Sequence, residues 1–223
     1  DLTEQCIAEA GMAFLFAPSH HNAMKFVAGP RRELGIRTVF NILGPLTNPS
    51  GIKRQVIGVY SDPLRMLIAR AMLAYGSEHL LVVHGEDGID ECSISAPTRI
   101  SEVRNGTIES YTITPEDAGL QRASLRDIMG GTPKENAAAA MDILRGRTGA
   151  PRDVVLLNSG AVIYTAGLAE TISAGVEMAA VSIDSGRAFA VVEKLREITS
   201  MSGVLILYAM KSSVSKNSGF QRE

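Results

Sequence analysis

The sequence predicts an α/β fold, a mixed, mostly parallel sheet covered by helices, with a helical C-terminal half. Two apolar runs, 55–60 and 79–83, flank an amphipathic stretch over 63–75 closed by Gly76, which is the pattern of a βαβ unit. Residues 97–113 alternate around Asn105-Gly106, so a β-hairpin is expected as an antiparallel addition to that sheet. From Lys134 onward the apolar spacing becomes helical.

In chain order, Leu2, Cys6, Ile7, Ala10, Met12 and Phe14 give residues 3–16 an amphipathic helical spacing, broken by Ala17-Pro18-Ser19. A second helical run follows from His20 to Ala28, and Gly29-Pro30 restarts the chain into a short helix ending at Gly35. The segment Gly44-Pro45-Leu46-Thr47-Asn48-Pro49 is too rich in turn formers to be regular and reads as a long, shaped loop. The two strands of the βαβ unit are apolar on both faces, so they should be parallel and buried. That puts the loop after Val83 at the carboxyl edge of the sheet, where open α/β folds bind ligands. Helices are expected over 134–146, 153–166, 169–180 and 185–199, the last capped by Asp184, and these should cover the sheet. Beyond Gly203, an apolar run followed by a serine- and lysine-rich tail has no amphipathic period. The chain opens at Asp1 and enters a helix almost at once, so it reads as a piece of something longer.

Composition narrows the function classes. With 223 residues, 45% hydrophobic, 21% charged and a net charge of −2, the chain has ordinary values for a soluble globular protein. A protein that grips a phosphate backbone needs a clustered basic surface, so nucleic-acid binding is disfavoured and small-molecule chemistry is expected. Cys6 and Cys92 are far apart, form no CxxC spacing and imply neither zinc nor a disulfide framework, which fits a reducing cytoplasm. No stretch reaches the ~18 to 20 apolar residues of a membrane span, and no signal-peptide layout opens the chain.

Two groups of residues could carry chemistry. Asp90-Glu91 sets two carboxylates on a glycine-punctuated loop after an apolar strand, where a hard cation could be held. His20-His21, Lys25, Arg31-Arg32 and Arg37 gather cations in one short run, and an arginine there could offer a bidentate fork to a planar carboxylate ligand. The same residues also read as an ordinary solvated helix start. Adjacent histidines diverge on a helix, so zinc binding by His20 and His21 is rejected. A Walker loop, a GxGxxG fingerprint and a GxSxG elbow are all missing from the sequence, and Ser159 falls inside a predicted helix, so a hydrolase triad is not expected.

The run from Phe14 to Lys25, with Pro18-Ser19-His20-His21, and the run from Arg31 to Pro49 resemble anthranilate phosphoribosyltransferase closely. Asp87-Gly88-Ile89-Asp90-Glu91 resembles that family's acidic metal motif, and Glu135-Asn136-Ala137-Ala138, Leu156-Leu157-Asn158 and Ala166-Gly167-Leu168-Ala169 resemble its C-terminal helices. The resemblance implies the fold of nucleoside-phosphorylase-like transferases. It also implies transfer of a phosphoribosyl group from phosphoribosyl pyrophosphate to the amino group of anthranilate, with magnesium (Mg2+), in tryptophan biosynthesis. Carried over by position, Arg31 would meet the anthranilate carboxylate, His21 and Pro45 would line the anthranilate path, and Asp90 and Glu91 would be the magnesium ligands.

The resemblance implies a catalytic domain over residues 1–200, incomplete at its N-terminus, and an atypical tail over 201–223. The family's Gly-Thr-Gly-Gly-Asp donor loop, its Lys-His-Gly-Asn segment and its N-terminal helical domain do not occur in this sequence. An isolated chain of this extent is therefore expected to be inactive, and the full-length protein to be a homodimer. The family usually has proline after the histidine, where this chain has Asn22. Two rivals share the fold: a non-catalytic nucleic-acid-binding relative, which the net charge of −2 opposes, and a pyrimidine nucleoside phosphorylase, which the Arg31–Pro49 block opposes.

Overall fold

The computed structural model describes residues 1–15, 46 and 50–201. In chain order its elements are α1 (Leu2–Ala10), β1 (Arg54–Gly58), α2 (Asp62–Ala74), β2 (His79–Gly85), β3 (Thr98–Arg104), β4 (Thr107–Ile113), α3 (Pro133–Leu144), α4 (Ala150–Ala166), α5 (Ile172–Asp184) and α6 (Arg187–Met201). Short 3-10 turns lie at Glu116–Ala118 and Leu125–Ile128. The described residues fall into two compact units: a sheet unit from residues 46, 50–129 and 147–182, and a helical unit from 1–15, 130–146 and 183–201.

The sheet unit has strand order β1-β2-β3-β4. β1 and β2 are parallel, in register from Arg54 opposite His79 to Gly58 opposite Val83. The β2-β3 and β3-β4 pairs are antiparallel. β2 is central because it is apolar on both faces: Leu80, Leu81 and Val82 are fully buried and Val83 nearly so. Leu80 and Val82 join Ile57, Val59 and Val103 in one core cluster with Ile68, Ala69 and Met72 from the inner face of α2. Alternation along the strand sends Leu81 and Val83 to the other face. α4 lies against β1 and β2 and buries Leu156, Leu157 and Ala161. Each aliphatic side chain so buried contributes about 1.5–3 kcal/mol, which makes this sandwich the main source of stability in the unit.

Local chemistry fixes the connections. The Arg65 guanidinium pairs with Asp62 at 3.0 Å and donates to the Ile100 carbonyl at 2.9 Å and Ser101 Oγ at 2.6 Å, stapling α2 to β3. Asn105 (φ 52°) and Gly106 (φ 75°) both take the left-handed backbone that a two-residue hairpin turn of type I′ demands. α4 and α5 approach closely at two glycines: a Cβ on Gly160 would meet the Val176 nitrogen at 2.7 Å, and one on Gly175 would run into the Gly160 carbonyl.

In the helical unit, α6 packs with α1 and α3. Glu9 pairs with Lys194 at 3.4 Å, and the Arg145 guanidinium lies 5.4 Å from the centre of the Phe189 ring. Capping boxes start two of the helices, Asp1 with Glu4 at α1 and Thr132 with Glu135 at α3.

Several boundaries differ from the sequence reading. α1 stops at Ala10 and does not continue to residue 16, because Gly11 turns left-handed (φ 73°) and donates to the Ile7 carbonyl at 3.0 Å. β2 runs on to Gly85, since β3 pairs with it as far as Gly85 opposite Thr98. α5 begins at Ile172 and still contains Asp184, while Gly186 (φ 76°) separates it from α6 at Arg187. Of the helices expected to cover the sheet, α4 lies against β1 and β2 in the sheet unit; in the helical unit α6 has α1 and α3 as neighbours. The helical runs expected over 20–35, the turn-rich segment apart from Leu46, and the tail beyond Gly203 lie outside the described residues.

Candidate functional site

The loop after β2 is a folded structure with defined anchors. Gly85 donates to the Ile89 carbonyl at 3.0 Å and accepts from Gly88 at 2.8 Å, so the chain doubles back at once. Gly88 takes φ 91°, a left-handed turn position, and a Cβ on Gly85 would meet Asp87 Oδ1 at 2.5 Å. Asp87 turns inward: its Oδ2 accepts from Ser93 Oγ at 2.5 Å and from Ser95 Oγ. Ser93 donates its own backbone N–H to Thr98 Oγ1 at 2.8 Å, closing the loop onto the start of β3. Asp87 is therefore a structural acid, distinct from the two that follow.

Asp90 and Glu91 are exposed, at the carboxyl edge of the β1-β2 pair as the strand pattern required. Between them, in the peptide that joins the two, the Asp90 carbonyl rests against Gly58 so closely that a Cβ on Gly58 would fall on it. After them, Cys92 is fully buried, and both its backbone N–H and its carbonyl bond to the side-chain amide of Asn158 on α4, at 2.9 and 3.0 Å. Nearby, His84 Nδ1 lies 2.8 Å from the Val59 carbonyl, joining the ends of β2 and β1.

Two exposed carboxylates suit a hard cation that takes its remaining ligands from substrate phosphates and water, the usual mode for magnesium. Among the described residues no cluster of three or more His, Cys, Asp or Glu could form a closed all-protein cage. The neighbouring thiol does not compete: burial, with the Glu91 charge adding to it, pushes Cys92 up to about 12, so it stays protonated. The residues present thus fit an open magnesium site completed by ligand. His21, Arg31 and Pro45 lie outside the described residues.

A second polar cluster, not anticipated from the sequence, lies where β2 begins. The buried carboxylate of Glu102 contacts His79 Nε2 at 2.8 Å and accepts from the Tyr164 hydroxyl at 2.7 Å and the Tyr111 hydroxyl at 2.8 Å. The Arg104 guanidinium donates to the Tyr164 hydroxyl at 3.1 Å. Burial first, and then the Glu102 carboxylate, raise the ionisation of both tyrosines above the ordinary phenol range. The available signal was Glu102 itself, a charged residue in phase with Ile100 on a half-buried strand.

Comparison with known proteins places this arrangement. The chain is 51% identical over 192 residues to the anthranilate phosphoribosyltransferase of Clostridium kluyveri, covering 86% of this chain and 57% of that protein. The crystal structure of anthranilate phosphoribosyltransferase from Thermus thermophilus superposes with a TM-score of 0.82 at 42% identity, covering 89% of this chain and 59% of that one. The Saccharomyces cerevisiae enzyme in complex with PRPP and Mg matches with a TM-score of 0.75 at 29% identity, over 81% of this chain and 52% of that one. The same yeast enzyme is also known in complex with 4-fluoroanthranilate. The chain thus spans a little over half the length of the relatives it matches. Residues 1–189 match the model of the glycosyl transferase family, a/b domain, and the chain belongs to that family.

Proposed function

We propose that this chain supplies the acid loop and acceptor side of an anthranilate phosphoribosyltransferase. The amino nitrogen of anthranilate forms a bond to the anomeric carbon of phosphoribosyl pyrophosphate, the bond from that carbon to the pyrophosphate oxygen breaks, and the amine proton passes to solvent. The products are phosphoribosylanthranilate and pyrophosphate, in tryptophan biosynthesis. The observation that carries the reading is the Asp90-Glu91 pair, exposed between the bonded backbone of Ile89 and that of Cys92 at the carboxyl edge of a parallel strand pair. It is supported by the names of the relatives and by the yeast enzyme's complexes with PRPP and Mg and with 4-fluoroanthranilate.

Asp90 and Glu91 would hold magnesium together with donor phosphates. When bound, the ion offsets the negative charge that grows on the departing pyrophosphate. The chain's own part is to keep two oxygen donors at a constant position, so that substrate geometry and the leaving group's charge set the rate and no protein nucleophile is needed. Arg31 would fork the anthranilate carboxylate, with His21 and Pro45 lining its path. The whole protein is read as a cytoplasmic homodimer; no helix among the described residues is long and apolar enough to cross a membrane.

The direct test is made on the protein from the full reading frame. Anthranilate fluorescence should fall only when phosphoribosyl pyrophosphate and magnesium are both present, with phosphoribosylanthranilate identified by mass. Phosphorolysis of uridine or thymidine with no consumption of anthranilate would replace this reading with the nucleoside phosphorylase one.

A further inference from the structure

We propose that Asn158 is a positioning residue for the Asp90-Glu91 carboxylates, acting through the backbone of Cys92; this rests on the reading of those acids as magnesium ligands. Asn158 lies in the interior of α4, sixty-six positions from the loop, and its side chain is spent on backbone groups. Oδ1 accepts from the Cys92 N–H at 2.9 Å, while Nδ2 donates to the Cys92 carbonyl at 3.0 Å and to the Val154 carbonyl at 3.0 Å. Both amide hydrogens and the amide oxygen are thereby used, which fixes the orientation of the group.

The pairing addresses a specific difficulty. Cys92 is fully buried, so its peptide groups require partners, and Asn158 satisfies both ends of the residue at once, as a neighbouring strand would. Glu91 is attached directly to this clamped residue. Asp90, one step earlier, is held on its N-terminal side by the bond from the Gly85 N–H to the Ile89 carbonyl at 3.0 Å, and the peptide joining it to Glu91 rests against Gly58 through the Asp90 carbonyl. The exposed pair is therefore a two-residue span tied at one end to β2 and at the other to α4, with its middle peptide against β1, all in the same unit. Side-chain rotation is its main remaining freedom, which is the preorganisation a low-ligand magnesium site needs.

A role confined to stability would make the same hydrogen bonds, so the test must read the loop and the ion separately from the fold. The full-length protein is titrated with Mn2+ in the presence of phosphoribosyl pyrophosphate by electron paramagnetic resonance. Magnesium dependence of turnover and hydrogen exchange of the peptide over 86–97 are followed in parallel. Asn158→Ala should weaken Mn2+ binding and raise the half-saturating magnesium by ~10- to 100-fold, with turnover largely restored at saturating metal and exchange at Cys92 accelerated by a similar factor. Leu157→Ala, which opens a cavity on the same helix, should lower the melting temperature without moving Mn2+ affinity.

Should Asn158→Ala fold poorly, Asn158→Asp keeps the volume and one acceptor but loses both donors, and should still weaken Mn2+ binding by ~3- to 10-fold. Mn2+ affinity within about twofold of the parent for the foldable Asn158 variant would overturn the proposal, as would an equal loss in Leu157→Ala. The two readings separate cleanly. If Asp90→Asn with Glu91→Gln leaves Mn2+ binding unchanged, the metal assignment itself falls and this proposal with it. If that pair weakens binding while Asn158 variants do not, only the clamp is wrong.

Discussion

Gly58 and Asp90 are in backbone contact: the carbonyl of Asp90 occupies the space where any side chain at Gly58 would begin. The last residue of β1 thereby sets the height of the acid loop above the sheet edge, and glycine is required there for space, since no left-handed φ is found at this position.

Gly58→Ala is expected to displace the loop, because backbone on one side meets a strand on the other and neither is a flexible side chain. The cost should be ~1–3 kcal/mol in denaturant unfolding, together with weaker Mn2+ binding. Unchanged stability and affinity would show that the loop adapts freely and that the contact positions nothing.

Asp87→Asn should separate the structural acid from the proposed ligands. Asn retains one acceptor oxygen for the hydroxyls of Ser93 and Ser95 but loses the charge-assisted bonds, so a stability loss of about 1–2 kcal/mol is expected. Magnesium demand should shift far less than on removal of Asp90 or Glu91, which a metal titration of the two sets of variants would read directly.

The Glu102 cluster predicts an alkaline limit to stability. Tyr111 and Tyr164 have raised folded-state ionisation, so the stability they confer is complete below the unfolded phenol value of about 10 and is lost as pH climbs toward the folded values. Tyrosinate absorbance should show that two of the five tyrosines ionise above the ordinary phenol range while the protein is folded. Tyr111→Phe should soften this alkaline transition. Glu102→Ala, which strands His79 and both hydroxyls without their acceptor, should cost ~3 kcal/mol or more at neutral pH.

The parts of the molecule legible in sequence are those set by short-range periodicity. The apolar character of Leu80 to Val83 declares a buried parallel strand, and from that follows the carboxyl-edge position of Asp90-Glu91. Asn105-Gly106 declared its turn through the backbone only those residues adopt easily. What was not legible depends on distance along the chain: the pairing of Asn158 with Cys92, of Gly58 with Asp90, and of His79 with Glu102 leaves no local period to detect. The end of α1 departs from its apolar spacing for a different reason. Met12 and Phe14 prolonged the apolar spacing past Gly11, and the left-handed cap overruled it.

The most direct measurement is Mn2+ or magnesium affinity in the presence of phosphoribosyl pyrophosphate, compared between the full-length protein and its Asp90→Asn, Glu91→Gln double variant. The expected result is a loss of donor-dependent metal binding of ~100-fold or more, matched by the fall in turnover at fixed magnesium, with the melting temperature little changed because both side chains are exposed. Metal affinity and turnover equal to the parent's would contradict the assignment of this loop as the magnesium site.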